Sequence, residues 1–184
     1  MYHRMTIAGL ERDLPICKVT DELYIAGFVI FGDQELTVAC AKALLEKAPD
    51  YDYIITAEAK GIPLAHEMAR QTGAKKYFLA RKNPKLYMTG VMEVSVKSIT
   101  TAKEQKLYLD TADVALMKGK KILVVDDVIS TGESLRALEV LVEQAGGIIA
   151  GRMAILAEGD AQERLDLIYL EKLPLFNPDG TVKA

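Results

Sequence analysis

Ile122-Leu123-Val124-Val125-Asp126-Asp127-Val128-Ile129-Ser130-Thr131-Gly132-Glu133-Ser134 is the stretch that decides the fold. Its first four residues are apolar and rich in β-branched side chains, the pattern of a parallel strand buried on both faces. Asp126 and Asp127 fall at the carboxyl end of that strand, where open α/β sheets bind ligands. Ser130 to Ser134 form a tight turn of small residues into a helix predicted over 135–145, whose first-turn N–H groups lack partners inside the helix. Backbone donors, hydroxyls and the helix dipole converge there on an anion. The two carboxylates repel that anion and need another partner beside it. Ionised Asp is a pure acceptor, so a sugar diol with two hydroxyl donors fits, and adjacent acids also suit a hard cation such as Mg2+ with its waters.

Strand and helix patterns alternate on either side of this stretch. Tyr53 to Ala57, Lys76 to Ala80, Ile148 to Ala157 and Leu167 to Leu170 read as short buried strands, and Pro63 to Thr72 as a helix with Pro near its start and Gly73 past its end. Asp33 precedes an apolar stripe at helical spacing, Leu36, Ala39, Cys40, Ala43, Leu44 and Ala48, with Pro49 behind it. Such alternation predicts right-handed crossovers and a mostly parallel, twisted sheet flanked by helices. Asn177-Pro178-Asp179-Gly180 predicts a turn before a frayed tail.

With 184 residues, 50% of them hydrophobic, the chain has the size and the apolar content for one domain over 1–184. Lys and Arg total 23 against 26 Asp and Glu, a formal charge of −3, which argues against a nucleic-acid partner. The longest apolar stretch, Leu23 to Phe31, falls well short of the roughly 20 residues that span a bilayer, so no membrane partner is expected. Two cysteines, Cys17 and Cys40, and no secretory leader pattern fit a reduced cytoplasmic protein. His3 and His66 stand far apart, which argues against a histidine metal site.

Three more segments carry chemistry. Ile54 to Pro63 repeats the grammar of the main motif, an apolar strand, a loop with Gly and a helix start, and so predicts a second anion cradle around Ala59, Lys60 and Gly61. Arg81-Lys82-Asn83-Pro84-Lys85 follows a strand and brings three positive charges to the same sheet edge, where Arg grips anionic oxygens bidentately and Lys acts as a point charge. Ser98 to Gln105, small and polar between two strand patterns, is suited to a lid that excludes water.

The segment Val124 to Ser134 resembles the 5-phosphoribosyl 1-pyrophosphate (PRPP) signature of the type I phosphoribosyltransferases. That resemblance covers a core of about residues 50–160. It implies that Asp126 and Asp127 hold the ribose hydroxyls and, directly or through water, Mg2+, while Ser130, Thr131, Gly132, Glu133 and Ser134 wrap the 5′-phosphate. Glu133 stands where many members carry Gly. Ala59, Lys60 and Gly61, with Arg81, Lys82 and Lys85, would take pyrophosphate, and a non-proline cis peptide is implied at Ala59–Lys60. Asp126, Asp127, Lys60 and Arg81 are the implied catalytic set, and Ser98, Thr100, Thr101 and Lys103 the lid residues. A small hood over the base is implied, with 14–32 and 171–184 as candidates, and a homodimer.

The Arg81-Lys82 pair is similar to adenine and xanthine transferases. Thr100, near the place of a Glu in the adenine enzymes, tilts toward the xanthine group and the effector domain of purine repressors. The implied activity is transfer of the 5-phosphoribosyl group from PRPP to adenine or a 6-oxopurine such as xanthine, in purine salvage. Two alternatives stay open: a non-catalytic PRPP-sensing regulator, although no basic helix-turn-helix pattern precedes the core, and an orotate phosphoribosyltransferase.

Overall fold

The computed structural model describes residues 1–97 and 104–183. In chain order the strands are β1 (Tyr2–Ile7), β2 (Leu10–Lys18), β3 (Tyr24–Ala26), β4 (Tyr53–Ala57), β5 (Phe78–Ala80), β6 (Val91–Lys97), β7 (Glu104–Asp110), β8 (Lys121–Ile129), β9 (Ile148–Glu158), β10 (Leu167–Leu173) and β11 (Leu175–Phe176). The helices are α1 (Gln34–Leu45), α2 (Ile62–Thr72), α3 (Thr111–Met117) and α4 (Glu133–Gln144), and a 3-10 turn spans Gly159–Glu163.

The central sheet is parallel, in the order β10-β9-β8-β4-β5. From β4 the chain moves outward to β5, then crosses back to β8 and proceeds the other way through β9 to β10. The direction of winding therefore reverses between β4 and β8, and in such sheets the crevice at the reversal binds ligands. Alternate residues of the strands feed the two faces. Ile55, Ile122, Val124 and Ala154 pack in the core beneath α4, while Ile54, Leu123, Val125 and Met153 pack with α1 and α2. The near-continuous apolar runs of the sequence are the signature of this double burial.

Both flanking helices on the second face start and stop as the residues dictate. The Asp33 carboxylate caps α1 by accepting from Leu36 N at 3.1 Å, and α2 has Pro63 in its first turn and ends at Gly73 with φ +70°. The antiparallel ribbon of β6 and β7 lies against α4 on the opposite face.

Several boundaries differ from the sequence reading. Strand β8 does not stop at the two aspartates. It runs on to Ile129, paired with β9 as far as Ile129–Ala157, whereas its pairing with β4 ends at Ile55–Val124. Asp126 and Asp127 thus lie where β8 has lost one neighbour and kept the other. Glu104 and Gln105, expected in the loop, belong to β7 opposite Lys97 and Val96; Ser98, Thr100, Thr101 and Lys103 lie outside the described residues.

A second, antiparallel sheet has the order β1-β2-β3-β11. It takes in residues 2–13 as well as part of 14–32, and from 171–184 it draws Leu175 and Phe176 of β11, while Glu171 to Leu173 belong to β10 of the central sheet. Its residues Ile7, Leu14, Ala26 and Phe176 share one core with α1 and α2. The tail is not frayed: after the turn at Asn177 to Gly180 it folds back, with Phe176 bridged to Val182 and Lys183 N donating to Leu175 O at 2.7 Å.

Candidate active site

Two strand-to-helix turns face one another across the winding reversal. On the β8 side, Asp126 and Asp127 stand above the last β4 pairing, and the Asp127 amide donates to Asp126 Oδ1 at 2.9 Å. Asp127 is 3% exposed. Burial, and then the like charge of Asp127, push the Asp126 carboxyl well above the usual carboxylate range. Past these acids, residues 128–135 curl around a cavity of about 60 Å3 that Asp126 also lines. Gly132, at φ +77°, begins α4 with no side-chain cap of its own, while the Glu133 N–H of the first turn donates to Thr131 Oγ1 at 3.5 Å. Ser134 Oγ donates to Gln105 Oε1 of β7 at 3.3 Å, which ties this turn to the ribbon.

On the β4 side the loop Glu58 to Gly61 turns into α2. The chain carries a non-proline cis peptide at Glu58–Ala59, one bond earlier than the Ala59–Lys60 position expected. Gly61 is required by contact: a Cβ there would overlap Thr56 Oγ1 and lie 3.0 Å from Asp126 Oδ1. Lys60 does not stand free for an anion. Its Nζ is 2.8 Å from Asp127 Oδ2, an ion contact off the angle of a hydrogen bond. Glu158, at the end of β9, has its carboxyl raised by burial against the opposing pull of Lys60.

Arg81 follows β5 at the same edge. Its backbone exchanges hydrogen bonds with Tyr108 of β7, each 2.8 Å, and its Nη2 pairs with Glu58 Oε1 at 3.0 Å. Glu58 Oε2 accepts from the Lys82 amide at 2.8 Å, so one carboxylate joins the turns after β4 and β5. Lys82 is exposed and Lys85 half-buried, and Lys85 contributes a carbonyl that accepts from Met88 N at 3.1 Å. His66 is exposed on α2 with its ring edge-on to Tyr77.

Three buried side-chain atoms make no hydrogen bond among the described residues: Thr56 Oγ1, Arg81 Nε and Asp127 Oδ2. All three belong to this crevice. Buried polar atoms left unpaired within a protein mark places that a water, an ion or a ligand completes. No group of three or more His, Cys, Asp and Glu that could hold a metal occurs among the described residues. Asp126 and Asp127 are two hard oxygen donors only, and they fit a cation such as Mg2+ that keeps waters and ligand oxygens in its shell.

Sequence reasoning missed Glu58, Thr56 and Glu158. A signal for the two glutamates was present, since Ala57-Glu58 and Ala157-Glu158 end apolar runs just as Val125-Asp126 does.

A model of the phosphoribosyl transferase domain matches residues 33–170, which contain both turns. The chain belongs to the phosphoribosyl transferase family. Among its relatives in the family is a hypoxanthine/guanine phosphoribosyltransferase of Methanothermococcus okinawensis, 33% identical over 157 residues that cover 82% of this chain and 81% of the relative. An adenine phosphoribosyltransferase of Kosmotoga olearia is 32% identical over 155 residues, covering 83% and 87% respectively. The crystal structure of adenine phosphoribosyltransferase from Thermoanaerobacter pseudethanolicus superposes with a TM-score of 0.66 at 20% identity, over 94% of this chain and 95% of that one. That superposition establishes the type I phosphoribosyltransferase fold expected from the Asp126-Asp127 motif.

Proposed function

We propose that the chain transfers the 5-phosphoribosyl group from Mg-PRPP to a purine base, releasing pyrophosphate and a nucleoside 5′-monophosphate. One observation carries the reading: two helix-start turns face each other across a buried carboxylate pair, so an anion at either end and a diol between them would all be met. Asp126 and Asp127 hold the ribose hydroxyls and share the metal. Ser130 to Ser134 receive the 5′-phosphate in the uncapped turn. Ala59, Lys60 and Gly61, with Arg81, Lys82 and Lys85, receive pyrophosphate. Bound Mg2+ supplies charge neutralisation on the pyrophosphate oxygens. The protein's part is to hold nucleophile and leaving group in line and to stabilise charge on the departing group. Lys60 is already tied to Asp127 and Arg81 to Glu58, so both cations exchange a carboxylate of their own chain for the substrate.

The small sheet is the structure we assign to the hood over the base, and Ser98, Thr100, Thr101 and Lys103 to the lid. Leu86 and Tyr87, exposed on the loop after Arg81, support a homodimer, which a sedimentation mass near twice that of one chain would bear out. Both cysteines are free thiols, as suits the cytoplasm. No described helix is long and apolar enough to cross a membrane.

The test is a spectrophotometric screen of adenine, hypoxanthine, guanine, xanthine, orotate and uracil with Mg-PRPP. An exocyclic amine and a carbonyl at one ring position demand opposite hydrogen-bond partners. One purine class should therefore exceed the other by at least about a hundredfold in kcat/KM, as a buried mismatch of roughly 3 kcal/mol gives. Turnover of orotate or uracil with no purine consumed refutes the purine reading and leaves the PRPP site standing.

A further inference from the structure

Arg164 lies between the 3-10 turn and β10, outside every motif considered above. Its Nε and Nη2 donate to the two carboxylate oxygens of Asp166 at 3.0 and 2.9 Å, a bidentate grip. Nη2 is also 3.8 Å from Glu139 Oε1, on the buried face of α4. Glu139 is held in turn by Arg152 of β9 and by Arg136, and Arg152 Nε stands 3.4 Å from Asp166. This lattice joins α4, β9 and the 164–166 segment and fixes the plane of the Arg164 guanidinium. The remaining nitrogen, Nη1, makes no hydrogen bond among the described residues. It sits 3.0 Å from the point where a Cβ on Gly132 would be.

Gly132 is the residue at φ +77° that starts α4 without a side-chain cap. A cation pinned against it from outside the cavity restricts the turn and adds positive potential where the helix N-terminus already favours an anion. We propose that Arg164 is a positioning residue for the 5′-phosphate turn, which it braces through Gly132 while Asp166 and the Glu139–Arg152 pair hold it in place. The proposal rests on the PRPP reading. It separates the two ends of the substrate, because Arg164 stands against Gly132 of the β8 turn, and among the described residues its ion pairs are with Asp166 and Glu139, not with the β4 turn.

The experiment is calorimetry of the full chain and of Arg164→Gln with three probes: ribose 5-phosphate, pyrophosphate with Mg2+, and Mg-PRPP. Arg164→Gln should weaken ribose 5-phosphate and Mg-PRPP by about two- to fivefold, the scale for one partly exposed charge. Pyrophosphate affinity and the melting temperature should stay as in the parent chain. Unchanged ribose 5-phosphate affinity overturns the proposal, and so does an equal loss of all three ligands with a lowered melting temperature, which is the mark of a merely structural role. If the Gln variant does not fold, Arg164→Lys carries the test: Lys keeps the charge without the fork to Asp166, and ribose 5-phosphate binding equal to the parent overturns the bracing. A parent chain that binds neither ribose 5-phosphate nor Mg-PRPP defeats the PRPP reading and this inference together; parent binding with an unaffected Gln variant defeats the inference alone.

Discussion

The β8-to-α4 turn and the β4-to-α2 turn share a sequence grammar and end in opposite electrostatic states. The first is more open: its helix begins at Gly132 with no side-chain cap, its hydroxyls line a small cavity, and among the described residues no lysine or arginine side chain lines that cavity, although Arg164 Nη1 stands close to Gly132. The second is charge-satisfied, with Lys60 on Asp127 and Arg81 on Glu58. The first turn can therefore take up an anion directly. On the proposed function the second would take one by partner exchange, with Lys60 giving up its contact with Asp127 Oδ2.

The strongest way to break this comparison is to remove the carboxylates that lie between the turns. Asp126→Asn with Asp127→Asn should cost roughly 1.5–3 kcal/mol of Mg-PRPP binding for each lost charged hydrogen bond. Undiminished affinity by calorimetry would sink the assignment. Stability should move the other way for Asp126. Its pKa in the folded chain is raised, so the ionised form opposes folding at neutral pH, and Asp126→Asn alone should melt no lower than the parent.

A smaller effect sharpens the β4 side. Gly61→Ala drives a methyl into Thr56 Oγ1, and overpacking of this kind costs about 1–3 kcal/mol. Adding Thr56→Ala should return part of that loss. Denaturant melts of both singles and the double decide it, and strictly additive losses would show that the two atoms do not meet.

The smallest effect concerns the helix behind the β4 turn. Glu67 on α2 accepts from Arg70 Nε at 2.8 Å and Nη2 at 2.7 Å, and from Gln71 at 2.8 Å. Arg70, followed by Gln71, pulls its carboxyl down to about 2. A depressed acid contributes stability that is complete above its unfolded pKa and is lost as pH falls through the folded one. Glu67→Gln should therefore reduce proton uptake on unfolding by about one between roughly pH 5 and pH 2. Identical acid limbs in the melting curves of the two chains would count against the pairing.

The β8 motif was legible because every local signal agreed: apolar run, acids, small residues, helix. What stayed hidden depended on distant partners. Glu58 acts on Arg81 and Lys82, more than twenty residues away, and a single carboxylate after a strand does not announce them. The overrun of β8 past its aspartates has the same cause, since β9 continues to pair where β4 does not. The first hairpin was missed for a local reason. Its turn residues Ala8 and Gly9 take φ of +49° and +82°, which is the geometry that Asn-Gly or Asp-Gly usually signals, and Ala gives no such cue.

The small sheet has one further consequence, for the order of folding. Strand β11 pairs with β3 at Leu175–Ile25 and Phe176–Tyr24, so that sheet is completed by residues from opposite ends of the parallel core. Every contact of this kind waits on a loop that encloses the whole intervening core, and loop entropy delays such contacts relative to local ones. The hairpin of β1 and β2 can form early, whereas β3 keeps an open edge until the central sheet has condensed and delivered Leu175. A chain cut after Leu173 should keep its parallel sheet and expose that edge to other chains. The last short strand is therefore a clasp: it seats Phe176 in the core shared with α1 and α2 and covers the edge of β3 through which half-folded copies would associate.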